Sequence, residues 1–162
     1  MPSWIVTEPP APDVRVREAV EGDLPRLVEL LTQLSLDEPR EALGPPLPES
    51  YRDAFAEIAA DPRQRLFVLE AEGHIVGSLV LVVVPNLTHQ GRPYAMVENV
   101  VVDEAERGKR YGELLMRHAI DEAHRAGCYK LSLTSNKQRP DAHRFYERLG
   151  FRATSEGFRV DL

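Results

Sequence analysis

The sequence predicts an α/β domain in which a mixed sheet is flanked by helices. Three observations lead there: segments alternating with the two-residue period of strands are interleaved with segments of helical period, no stretch repeats, and no second composition regime marks off another domain. The predicted order is β-α-α-β-β-β-α-β-α-β. At 162 residues the chain suits one domain with a sizeable core.

The first strand is "VRVREA" (14–19), by its alternation. Asp23 can then cap a helix in which Leu24, Leu27, Leu31 and Leu34 recur at helical spacing, with Pro25 tolerated in the first turn. Four prolines make residues 35–48 a loop, and a second helix runs from about Glu49 to Ala60, stopped by Pro62. "RLFVLEAEGHIVGSLVLVVV" (65–84) is two strands joined at Glu72-Gly73, and "YAMVENVVV" (94–102) is another strand. Residues 111–126 form a helix with Leu114, Leu115, Ala119, Ala123 and Ala126 on one side and Gly127 at its end. "YKLSLTS" (129–135) alternates as a strand; Pro140 opens a short helix with Ala142, Phe145 and Leu149 on its inner side. "FRATSEGFRVDL" (151–162) is a closing strand or hairpin, and residues 1–13, rich in proline, are a flexible tail ahead of a single domain over 14–162.

An apolar fraction of 43% and a charged fraction of 28% are ordinary for a soluble globular chain, and no apolar run approaches the length of a membrane span. The N-terminus has neither the basic start nor the apolar segment of a secretory signal. Cys128 is alone, so no internal disulfide can form, and a reducing cytoplasm is the expected location. The net charge of −6 is uneven: residues 1–90 carry 7 Lys and Arg against 15 Asp and Glu, residues 91–162 carry 13 against 11. The acidic first half would repel a phosphate backbone, so no nucleic-acid partner is expected. No histidine pair has metal-ligand spacing, and no metal is expected.

Against this background "ERGKRYGELL" (106–115) stands out, with Arg107, Lys109 and Arg110 beside Gly108 and Gly112 ahead of a helix. The first N–H groups of a helix lack internal partners and lie at the positive end of its dipole, so such a turn can wrap a phosphate. It matches neither G-x-x-x-x-G-K-[ST] nor G-x-G-x-x-G, and without further context it is an ordinary solvated basic turn.

Context narrows this. Arg107-x-x-x-x-Gly112, set between "VENVVVDEAE" and an amphipathic helix and followed by "AHRFYERLGF" (142–151), closely resembles the GCN5-related N-acetyltransferase (GNAT) superfamily over residues 14–161. There are two departures: Arg110 stands where the family's phosphate turn has glycine, and Arg139, with Asn136 nearby, stands where members often have an asparagine contacting the cofactor. The resemblance implies a mixed, mostly antiparallel sheet and an acetyl-CoA site. Pantetheine would lie like an added strand between strands 94–102 and 129–135, against the main chain of Val100, Val101 and Val102. The diphosphate would meet Arg107, Gly108, Lys109, Arg110, Tyr111, Gly112 and Glu113. The resemblance also allows a homodimer, since many members pair through their C-terminal strands.

Acetyl transfer to an amine needs a base for the amine, donors for the developing oxyanion and an acid for the leaving thiolate. Glu98 interrupts an apolar strand and, by alternation, shares a face with Met96, Val100 and Val102. A buried unpaired charge costs several kcal/mol, so such a carboxylate is either functional or turned to solvent at an edge. The resemblance implies Glu98 as general base. Tyr146 lies about 100° around its helix from Phe145, and a phenol can protonate a thiolate; the resemblance implies it as general acid, the alternative being a core aromatic. An oxyanion donor near Val100 requires a strand bulge.

The acceptor end in this family is built by the first two helices and the fourth strand, which implicates Tyr94 and Asn99. Asp37, Glu38, Glu41, Glu49 and Asp53 would draw a cationic amine, whether a small metabolite, a protein N-terminus or a lysine. "GCYKLSLTS" is also similar to the matching segment of glucosamine-phosphate acetyltransferases, whose acceptor is anionic and fits the acidic rim less well. The rivals from other classes are an idle CoA-binding module and an interaction domain with an unrelated phosphate ligand.

Overall fold

The structure, a computed structural model, describes residues 13–38 and 40–162. The tail expected over residues 1–13 therefore lies outside the described residues except for Asp13. The described chain separates into two compact units, one ending at Ser132 and one covering residues 133–162.

The first unit is a five-stranded sheet in the order β1 (Val14–Glu18), β2 (Gln64–Ala71), β3 (His74–Val84), β4 (Tyr94–Val102) and β5 (Leu131–Ser132). The first four strands are antiparallel neighbours and β5 runs parallel to β4, giving the mixed, mostly antiparallel sheet. The β2–β3 hairpin turns at Glu72 (φ 51°) and Gly73 (φ 77°), the pair of left-handed residues that matches the strands' twist in a two-residue turn. Its helices are α1 (Leu24–Leu31), continued by a 3₁₀ turn over Thr32–Leu34, α2 (Glu49–Ala60), a single turn α3 (Thr88–Gly91), and α4 (Tyr111–Arg125).

Register decides what each face covers. Val68, Ser78 and Val101 are cross-strand partners, and on that face Val68 and Val101 pack with Leu24, Leu27 and Leu30 of α1. Phe67 pairs with Leu79, and Gly77 with Val102, on the opposite face under α4. A Cβ at Gly77 would lie 2.9 Å from Leu115 Cδ1 and 3.0 Å from the Val101 carbonyl oxygen, so only glycine lets α4 settle this closely on β3. Ser78 is buried, and its hydroxyl donates to the Phe67 carbonyl at 2.9 Å.

Asp23 does not cap α1. Its carboxylate accepts from the Val20 N–H at 2.9 Å and from the Arg17 guanidinium at 2.8 and 3.0 Å, because a neighbouring cation is a stronger partner than a helix N–H.

His118 of α4 meets the Phe67 ring edge-on, with centroids 4.5 Å apart. Burial pushes its imidazole below the ordinary value of 6.5, with Glu122 opposing and Arg65 adding to the shift. The folded state thus binds fewer protons here than the unfolded chain, and stability falls as pH drops below about 6.5. Thermal midpoints measured from pH 7 to 5 should show this loss in the wild type and a flatter profile in His118→Leu.

In the second unit, α5 (Pro140–Arg148) is followed by a buried Leu149 and by Gly150 at φ 93°. Two expectations need correction. The last sheet strand is only Leu131–Ser132, not 129–135, and residues 151–162 form neither strand nor hairpin. Phe158, Val160 and Leu162 do alternate, but a strand also needs a neighbour for its N–H and C=O groups, and none pairs with them among the described residues.

Candidate functional site

β4 carries the bulge on which an oxyanion donor would depend. Ser78 faces Val101 and Val80 faces Glu98, so Asn99 and Val100 together stand opposite Leu79 alone. Asn99 takes φ 53°, a left-handed conformation that asparagine tolerates better than its valine neighbours. The extra residue also changes the faces: Glu98 shares its side with Met96 and Val101, not with Val102. Polar Glu98-Asn99 within a valine run was the available sequence signal for this break.

Glu98 and Asn99 are exposed, and Tyr94 is half-buried. The burial argument for Glu98 therefore fails: its carboxylate faces solvent. The parallel ladder between β4 and β5 ends at Met96 opposite Ser132. From Val97 to Val102, the side of β4 turned away from β3 has no ladder partner among the described residues. Val101 is buried in the core beneath α1, while Val100 and Val102 are half-buried.

β4 leads into the basic turn through Asp103. Its carboxylate accepts from the Ala105 N–H at 3.1 Å, from Gln33 at 3.4 Å and from Arg26, which also donates to the Ile75 carbonyl at 3.0 Å. The Ala105 N–H, followed by Arg26, holds this carboxyl below the usual range. The role of Arg26 and Gln33 in fixing the turn was not legible, because they lie some seventy positions away in sequence.

Within the turn, Gly108 (φ 85°) and Arg110 (φ 63°) are both left-handed, so Arg110 adopts the backbone of the glycine it replaces. Among the described residues, the N–H groups of Gly108, Lys109, Tyr111 and Gly112 donate to no protein acceptor, as expected at the start of α4. The charges are less concentrated than the sequence suggests. Arg107 lies 3.9 Å from Glu104, Lys109 pairs with Glu106, and Arg110 lies 2.8 Å from Glu113, which also pairs with Arg117. The cations at Arg107, Lys109 and Arg110 are largely exposed, so solvent screens these pairs and leaves them weak.

In the second unit, Tyr146 is half-buried, its ring 5.3 Å from Phe145 and 5.9 Å from Phe151. Burial pushes its phenol above the usual value, opposed by the Arg139 charge. The Arg139 N–H donates to the Asn136 carbonyl at 3.0 Å, and the Asn136 side-chain oxygen accepts from the Gln138 N–H at 2.9 Å, so both residues build the loop into α5. His143 also bonds the Asn136 carbonyl, at 2.9 Å. Cys128 is buried in the first unit, and burial pushes its thiol up, away from the reactive thiolate.

Comparison with known proteins adds a family. The model for the acetyltransferase (GNAT) family matches residues 28–151. A glucosamine 6-phosphate N-acetyltransferase of Trypanosoma brucei brucei is 37% identical over 159 residues, covering 93% of this chain and 97% of that protein. An aminoalkylphosphonate N-acetyltransferase of Salmonella typhimurium is 33% identical over 104 residues, 64% of this chain and 67% of its own. A crystal structure from Bacillus halodurans C-125, described as a transcriptional regulator, superposes with a TM-score of 0.88 at 44% identity over 92% of this chain and 99% of that one.

Proposed function

The chain belongs to the GNAT acetyltransferase family, and on that premise we propose that it moves the acetyl group of acetyl-CoA directly onto a primary amine. The observation that carries the reading is the set of unengaged N–H groups at Gly108, Lys109, Tyr111 and Gly112, beside a strand edge without a ladder partner. These donors suit a diphosphate, and the Val100–Val102 main chain suits the amides of a pantetheine arm. Arg107, Lys109 and Arg110 add charge to the first contact. Acetyl-CoA supplies the acetyl group already activated as a thioester.

Glu98 takes a proton from the incoming ammonium, which its exposed position on β4 permits. Main-chain N–H groups at the Asn99–Val100 bulge are the donors for negative charge developing on the thioester oxygen. Tyr146 supplies a proton to the departing sulfur. The upward push on its phenol keeps it protonated at neutral pH, as an acid must be.

For the acceptor, the relatives favour an amine that also bears a phosphoryl or phosphonyl group, as the names of both curated relatives state for those proteins. A second reading, a purely cationic amine, is favoured by the exposed carboxylates of Asp37, Glu38, Glu49 and Asp53. Thiol release from acetyl-CoA, measured with phosphorylated amino sugars, aminophosphonates, polyamines and peptides, separates the two. Release with none of them, while coenzyme still binds, would leave a non-catalytic module.

Coenzyme binding has its own test. Replacing Arg107 and Arg110 together by alanine should weaken acetyl-CoA binding about tenfold at low ionic strength, with a shallower dependence on salt. Calorimetry giving unchanged affinity would remove the diphosphate from this turn.

A further inference from the structure

Resting on the acetyl-transfer reading above, we propose that Lys130, with Arg92 beside it, binds the phosphoryl group of the amine acceptor at the start of β4. The Lys130 ammonium sits over two rings, 5.2 Å from the centre of Tyr94 and 5.6 Å from that of Tyr129. The Arg92 guanidinium donates to the Cys128 carbonyl at 3.5 Å, which brings it to the same end of β5. Neither cation has a carboxylate within 4.0 Å among the described residues. The arginines on the strands of this sheet are paired: Arg15 and Arg17 with Glu70, Arg17 also with Asp23, and Arg65 with Glu18 and Glu122. The positive charge at Lys130 and Arg92 is thus left for an anion to balance.

Aromatic rings frame the Lys130 ammonium. The His89 ring stacks on Tyr129 with centroids 3.7 Å apart and an interplanar angle of 16°. That stack is reached through left-handed His89 (φ 52°) and Gln90 (φ 60°), conformations that cost free energy in residues other than glycine and persist where surrounding contacts hold them. The Tyr129 N–H donates to the Pro93 carbonyl at 3.0 Å, and Pro93 in turn lines an open depression of about 560 Å³ with Pro85, Asn86, Leu87 and Gly91. Apolar ring faces around an ammonium exclude water from one side of it and strengthen its attraction for an anion. A lysine acts on phosphate as a point charge and needs no fork geometry.

Register aligns this cluster with the base. Tyr94, Met96 and Glu98 pair with Val84, Val82 and Val80, so all three lie on one face of the sheet. The Lys130 carbonyl accepts from the Ala95 N–H at 2.9 Å, and its ammonium lies over the Tyr94 ring on that same face. Glu98 lies four strand steps from Tyr94, about 13 Å between their Cα atoms. A small molecule lying along this face would place its amine at Glu98 and its anionic end at Lys130. The acidic segments then attract the ammonium end and the Lys130 cluster the phosphoryl end, which reconciles an acidic rim with an anionic acceptor.

Binding and turnover of glucosamine 6-phosphate and of glucosamine, in wild type, Lys130→Met and Lys130→Arg, test the assignment. Wild type should prefer the phosphorylated amine. In Lys130→Met the ratio of kcat/KM between the two acceptors should fall about tenfold, equivalent to about 1.4 kcal/mol, through KM and not kcat, with an unchanged thermal midpoint. Lys130→Arg should retain most of the preference. Equal use of both amines by wild type, or an unchanged ratio in Lys130→Met, overturns the assignment and leaves acetyl transfer standing. Lys130-dependent binding of glucosamine 6-phosphate in calorimetry, with no acetyl transferred to it, supports the assignment and overturns the transfer reading for that acceptor.

Discussion

Glu98→Gln is expected to lower kcat by about 10²–10⁴-fold, the range for loss of a general base, while leaving coenzyme affinity and folding intact. The glutamine has the same shape but cannot accept the ammonium proton. Glu98 is exposed and has no side-chain hydrogen bond or ion pair among the described residues, so its neutralisation disturbs no packing. A surface change of this kind shifts stability by no more than about 0.5 kcal/mol. Single-turnover rates with saturating acetyl-CoA isolate the chemical step from binding. A rate reduced only two- or threefold would mean that another group, or water, takes the proton. Tyr146→Phe tests the other end of the reaction, because phenylalanine keeps the ring against Phe145 and Phe151 and removes only the proton donor. Its effect should likewise appear in kcat, not in coenzyme affinity.

The largest effect on stability is expected at Leu115→Ala, about 2–5 kcal/mol. Leu115 is fully buried, with Met116, Ala119 and Ala123 on the same side of α4. Its Cδ1 fills the space above Gly77, and glycine has no side chain of its own to refill that space after truncation. The cavity would therefore persist, and persistent cavities add to the lost transfer energy. Against a total stability of about 5–15 kcal/mol this is a large share. Because α4 carries the Gly108–Gly112 amides at its start, loosening it should also weaken coenzyme binding. Urea unfolding should show a lower midpoint with an unchanged slope; a loss under about 1 kcal/mol would mean that α4 does not pack on β3 as described.

Local signals carried most of the fold. Proline at position 62, the Glu72-Gly73 turn and the periodicities around them placed α2, β2 and β3 within a residue or two. β4 falls on Tyr94–Val102 as alternation predicts. The turn ahead of α4 was also legible, because its glycines, its cations and the helix start are neighbours in the chain. The end of the chain was less so: Phe158, Val160 and Leu162 have the period of a strand without a ladder to join.

Sequence by itself determined the order of strands and helices as far as α5, the turn ahead of α4, and the residue types available for acid–base work, since each depends on contacts between near neighbours. Tertiary structure alone decided that β4 bulges at Asn99, that Glu98 faces solvent on the side of Val101, and that Lys130 shares its surroundings with Tyr94 and Tyr129. It also decided which carboxylates neutralise the basic turn and which cations elsewhere stay uncompensated. The physical reason is that one extra residue in a strand changes which side chains share a face, and only pairing with β3 and β5, strands distant in sequence, fixes where that residue goes.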